Sequence, residues 1–213
     1  MIKVPAEFQW LQGPECPLDD IYCVSFFHGL DPADVLRRFD PAGAAGEEMA
    51  FERLAERVLA FADSTGGGDG GGHVGVVRAG DWSVAIELWG WQAVLHDVVP
   101  ALSAGCEFVA VGRHEYAEDG FAYAIDGDLL TWFTPTTPQD RYGTEPDHLL
   151  APMRATGLRP DPPAEDASEQ EADWDDLSAN GLVRAFWLAA EITGVAFTRD
   201  LLDRPLLVGT IAR

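Results

Sequence analysis

At 213 residues and 47% apolar composition the chain can bury a substantial core, and its 36 acidic against 14 basic residues, a formal charge of −22, oppose nucleic-acid phosphates and anionic membranes. No apolar leader follows Met1, and no stretch reaches the roughly 20 apolar residues that cross a bilayer, so a cytoplasmic protein with no membrane partner is expected. Three cysteines, Cys16, Cys23 and Cys106, without Cys-x-x-Cys spacing, point to reduced thiols rather than a disulfide framework or a zinc site.

Taken in chain order, the first element is Ile21-Tyr22-Cys23-Val24-Ser25-Phe26-Phe27, a β-branched and aromatic run that predicts a buried strand. Asp31-Pro32 then opens a helix through Phe39, with Asp at the N-cap, Pro in the first turn and Arg37 and Arg38 in the last. Phe51, Leu54, Val58 and Phe61 recur at three- and four-residue intervals and predict a second helix over 47–62, with Glu48, Glu52, Arg53, Glu56 and Arg57 on its charged face. The glycine run at 66–72 predicts a mobile loop, because ordering so many glycines costs chain entropy. A phosphate loop is the alternative, and it lacks the Lys-Ser/Thr that would grip phosphate and magnesium.

Strands dominate from 73 to 135. Residues 73–78 and 82–88 form a hairpin, with Trp82, Val84, Ile86 and Leu88 on one face and Ser83, Ala85 and Glu87 on the other, where Trp89 would follow. A short helix limited by Pro100 occupies 95–103. Strands at 106–114, 121–126 and 128–133 follow, with Asp126-Gly127 as a two-residue turn. A helix from 146 carries Leu149, Leu150 and Met153 inward. Between 160 and 177 lie eight acidic residues, Asp161, Glu165, Asp166, Glu169, Glu171, Asp173, Asp175 and Asp176, and no basic ones, which reads as an acidic disordered linker. A final helix at 178–192 and an edge strand at 206–211 complete an α+β chain. The expected fold is one domain, 1–159 with 178–213, built on an antiparallel meander of about five to six strands with helices packed on one face.

No catalytic motif emerges. Arg113-His114-Glu115 with Glu118 and Asp119 is the best polar constellation, but alternation sends His114 and Glu115 to opposite faces of a regular strand. Glu87, in an otherwise apolar strand, demands a partner, for which Arg113 is the candidate; a ligand-gripping acid framed by Trp89 and Trp91 is the alternative. His28, His73, His96, His114 and His148 are too widely spaced for a local metal motif, and Ser25 lacks the glycines of a nucleophile elbow. Trp174 stands in the acidic segment as Asp173-Trp174-Asp175, with nothing nearby to bury it.

The run Tyr22-Cys23-Val24-Ser25-Phe26-Phe27-His28-Gly29-Leu30-Asp31-Pro32-Ala33-Asp34-Val35-Leu36-Arg37-Arg38-Phe39 resembles an uncharacterised domain family common in GC-rich soil bacteria. Trp82-Ser83-Val84-Ala85-Ile86-Glu87 with Gly90-Trp91, Phe121-Ala122-Tyr123-Ala124-Ile125-Asp126-Gly127, Arg141-Tyr142-Gly143 and Ile192-Thr193-Gly194-Val195 agree with it. The resemblance implies single-domain architecture and supplies no catalytic residue.

The reading is therefore a non-enzymatic acidic interaction protein, of immunity or inhibitor type, that binds a basic protein partner and requires no cofactor or metal. Glu87, Trp89, Trp91, His114 and Trp174 are its candidate binding residues. The alternatives are a small-molecule-binding regulator and a hydrolase or transferase using Glu87, His28 or His114.

Overall fold

A computed structural model describes residues 2–116, 119–162 and 166–212. Glu118 and Glu165 lie outside the described residues. The centre is an eight-stranded antiparallel sheet rather than one of five to six strands. Its strands are β1 (Ile21–His28), β2 (Glu47–Met49), β3 (His73–Ala79), β4 (Trp82–Leu88), β5 (Glu107–His114), β6 (Gly120–Ile125), β7 (Asp128–Phe133) and β8 (Leu206–Thr210), in the order β2-β8-β3-β4-β1-β5-β6-β7. The helices are α1 (Pro32–Phe39), α2 (Phe51–Thr65), α3 (Val99–Ser103), α4 (Leu150–Thr156) and α5 (Ala167–Thr193).

Helices cover both faces of the sheet, not one. Phe51, Leu54 and Val58 of α2, Met153 of α4 and Val183, Phe186 and Leu188 of α5 share a core with Tyr22, Val24, Val84 and Ile86. On the other face, Val35, Leu36 and Phe39 of α1 and Val99 and Leu102 of α3 pack with Cys23, Phe27, Ala85 and Phe108. Strand alternation distributes β1 between these cores, which is why its run of seven residues is buried without a polar interruption other than Ser25. Asp31 caps α1 as expected, its carboxylate accepting from the Asp34 N–H at 2.9 Å. Asp126 and Gly127 take φ 52° and 86°, the paired left-handed conformation of a two-residue hairpin turn.

Four boundaries differ from expectation. Residues 47–49 are strand, because Glu47–Met49 pairs with β8, which therefore lies inside the sheet between β2 and β3 rather than at its edge. The fourth helix begins at Leu150, later than 146, and the third shortens to Val99–Ser103 after a 3₁₀ turn at Gln92–Val94. The acidic segment is helical from Ala167 onward. Asp166 caps α5 by accepting from the Ser168 and Glu169 N–H groups at 2.9 and 3.2 Å, and carboxylates in the first turns complement the helix dipole. Arg159 pairs with Asp173 and Asp176, offsetting their repulsion.

Candidate functional site

The central strands end together on one side of the sheet. β4 stops at Leu88, β1 starts at Ile21 and β5 stops at His114, with Tyr22 opposite Leu88 and Ile21 opposite His114. The Trp89 N–H donates to the Ile21 carbonyl at 2.9 Å, and the Glu115 N–H donates to the Asp20 carbonyl at 3.1 Å, tying the departing chains to one another. Among the described non-glycine residues, positive φ occurs at Asp126, explained by its hairpin, and at Asp19 (66°) and Trp89 (49°), both at this strand end. Such conformations cost on the order of 1–3 kcal/mol and persist where the surroundings enforce them.

Asp19 and Trp89 line the same groove, about 890 Å³, between α2 and the end of β4. Phe51, Val58, Leu59, Leu88 and Trp89 provide its apolar surface. Asp19, Glu52, Glu56 and Asp63 add carboxylates, and no Lys, Arg or His is among its described lining residues. Leu59 is 64% exposed. Its signal was present in the sequence: it lies off the buried α2 stripe, between the acidic positions Glu52, Glu56 and Asp63. The left-handed turn at Asp19 had no comparable signal.

Glu87 is fully buried, but Arg113 is not its partner. Arg113 pairs across the ladder with Tyr22 and Glu87 pairs with Cys23, so alternation places the two side chains on opposite faces; Arg113 instead reaches Asp20 at 3.3 Å. Glu87 Oε1 accepts from the Ala93 N–H and Oε2 from the Gln92 N–H, both at 3.0 Å, which fastens the 89–94 turn from below. Burial pushes its carboxyl up to about 7 against the opposing influence of these N–H groups and the Cys23 thiol. Burial, and then Glu87 itself, push the Cys23 thiol upward in turn.

The other predicted residues are brought into sequence along this strand end. Glu87 and Trp91 line a cavity of about 290 Å³ beneath the glycine run. Trp91 lies against His114, with ring centroids 5.2 Å apart, and His114 and Trp174 line a further cavity of about 510 Å³. His114 Nδ1 is buried with no hydrogen-bond partner among the described residues, while its backbone N–H donates to Asp119 at 3.0 Å. Burial raises the Asp119 carboxyl despite that bond and the nearby Arg113 charge. Trp174 is 54% exposed on α5, and Tyr116, missed in the sequence, is exposed beyond β5. His28 is at the opposite end of β1 against Trp82 and does not join Glu87 or His114. The glycine run forms turns laid against this end: a Cβ on Gly71 would meet Val58 at 2.8 Å, and one on Gly70 would meet the Trp89 carbonyl at 3.0 Å.

Among the described residues no group of three His, Cys, Asp or Glu is placed to hold a metal ion, and no helix is long and apolar enough to cross a membrane. No curated protein and no solved structure matches the chain. A family model matches residues 1–212, and the chain belongs to that family, described as a family of unknown function (DUF6461).

Proposed function

We propose that the chain is an acidic interaction module whose Trp89 groove takes a basic amphipathic segment of a partner protein. One observation carries the reading: the groove joins exposed apolar surface to Asp19, Glu52 and Asp63, with Glu56 paired to Arg53 and no cationic residue among its described lining. Apolar side chains of the partner would cover Leu59, Leu88 and Trp89, while its Lys or Arg residues would meet Asp19, Glu52 and Asp63, Glu56 being paired with Arg53 on α2. The net charge of −22 steers such a partner into the groove, and the buried aromatic contact slows its departure. A module of this kind acts as an inhibitor or immunity protein when the captured segment belongs to the partner's own working surface.

The test is titration of the full chain with a helical Leu/Lys peptide and with its Leu/Glu counterpart, at low and high salt. The Leu/Lys peptide is expected to bind alone and to weaken with salt, and Leu59→Glu, at an exposed position, weakens it by roughly tenfold or more. Equal binding of both peptides, or an unchanged affinity in Leu59→Glu, contradicts the reading.

A further inference from the structure

Glu87 is joined to the groove through the chain itself. Leu88 and Trp89, which follow it directly, line the groove, and Gln92 and Ala93, whose N–H groups its oxygens accept at 3.0 Å, close the turn that Trp89 opens. The turn lies tight on that side chain: a Cβ on Gly90 would stand 2.7 Å from the Glu87 Cβ and 3.2 Å from Oε2. On the groove side the Trp89 indole N–H donates to the Gly67 carbonyl at 3.3 Å and its backbone N–H to the Ile21 carbonyl at 2.9 Å. Its φ of 49° is a conformation that the surroundings enforce. Glu87 therefore holds from beneath the far end of a strained turn whose near end is a wall of the groove.

We propose that Glu87 is a proton-sensitive fastener of the groove: ionised, it holds the 89–94 turn in the geometry that receives the basic segment, and protonated, it loosens the turn and weakens that binding. The inference rests on the groove reading and adds its regulation. The hydrogen bonds give the sense. A carboxylate accepts on both oxygens, whereas protonation makes one of them a hydroxyl, a weaker acceptor whose own proton faces an N–H donor. Burial of a carboxyl supported by backbone N–H groups and a thiol places the exchange near neutrality, at about 7.

The titratable groups around Glu87 are Cys23 on β1, whose thiol burial keeps protonated, and Asp69 in the glycine run, which is itself partnered. Beyond the rings that wall the same cavity, His73 of β3 lies against Phe61 and His114 of β5 against Trp91. No histidine is among the described residues lining the groove. Binding that requires the ionised form releases a proton as the complex forms, so affinity rises with pH between about 6 and 8, by at most roughly tenfold for a midpoint near 7. This is opposite in sense to the contribution of Glu87 to global stability, which declines as pH rises to about 7, so weaker binding at the acid end is not unfolding.

The test is titration of the full chain with the Leu/Lys peptide between about pH 6 and 8 at constant salt, in wild type, Glu87→Gln, His73→Gln and His114→Gln. In parallel, the Gln92 and Ala93 amide resonances and the Trp89 indole resonance of the free wild-type chain are followed over the same range. Wild-type affinity is expected to rise roughly three- to tenfold across the window with proton release. The rise is expected to vanish in Glu87→Gln and to persist in the two histidine variants. The amides and the indole are expected to titrate together with a midpoint near 7, a measurement that depends on no variant folding. A flat wild-type affinity, a rise that survives Glu87→Gln, or amide resonances that do not move overturns the switch and leaves the groove standing. Absence of peptide binding throughout the window, with the amides still titrating, overturns the groove and leaves Glu87 as a latch on the turn alone.

Discussion

Asp176 and Glu87 are both buried carboxyls, and the chain treats them in opposite ways. Asp176 accepts from Arg184 at 2.8 and 3.0 Å, from Arg159 at 3.1 Å and from Asn180 at 3.0 Å. Arg184, itself buried, also donates to the Ile2 carbonyl at 3.3 Å and so ties the N-terminal segment to α5. Burial pushes the Asp176 carboxyl up, but the two guanidinium groups outweigh it and hold the group below its usual range. Around Glu87 no cation is present among the described residues, so burial prevails. A buried charge whose partners all come from its own chain belongs to the scaffold. One held, among the described residues, by backbone N–H groups and a thiol fastens a turn and keeps its carboxyl raised.

The largest effect is expected where the complete arrangement is broken. Arg184→Met leaves Asp176 buried with a single guanidinium and should cost about 3–5 kcal/mol in urea unfolding. A loss below about 1 kcal/mol would show that the pair is not a unit.

Next in size is the pH dependence that separates the two carboxyls. Glu87 has a folded value near 7, above its unfolded one, so the native state holds the extra proton and its contribution declines as pH rises between about 4.5 and 7. Relative to Glu87→Gln, the wild type should lose about 3 kcal/mol across that window. Asp176 is depressed, so its contribution is complete above the unfolded aspartate range and disappears only as pH falls below it. Parallel stability profiles for wild type and Glu87→Gln between pH 5 and 8 would remove the contrast.

The smallest effects distinguish surfaces. Trp174 is separated from the groove and faces cavities lined by His114 on one side and by Arg159 and Arg184 on the other. Trp174→Ala should therefore change Leu/Lys peptide affinity by less than about twofold, against the roughly tenfold loss for Leu59→Glu. The reverse ranking would move the partner to α5.

The frame of the sheet was legible in residue pattern; the contrast between the two carboxyls was not. Alternation in Trp82–Leu88 correctly assigned two faces, and Asp31-Pro32 and Asp126-Gly127 marked their own turns because caps and tight turns are local chemistry. β2 was not legible, since Glu47, Glu48 and Met49 are adequate helix formers, and only pairing with the distant Leu206–Val208 makes them strand. The N-terminal half of α5 was misread for a different reason. Its acidity suggested disorder, although Asp166 and Glu169 form a capping signal and carboxylates favour a helix start. Glu87 stands out in the sequence as a carboxyl that demands a partner, but its partners are backbone groups on a 3₁₀ turn rather than Arg113, and such groups carry no residue-type signature. The groove escaped notice because it needs Asp19, α2 and Trp89 together, from three separated parts of the chain.

The most direct test is hydrogen exchange of the full chain with and without saturating Leu/Lys peptide. Protection is expected over residues 51–67 and 88–93, which form the groove and the turn fastened by Glu87, with residues 167–178 unchanged. Protection confined to 167–178, or none despite binding, would contradict the assignment of the groove as the partner site.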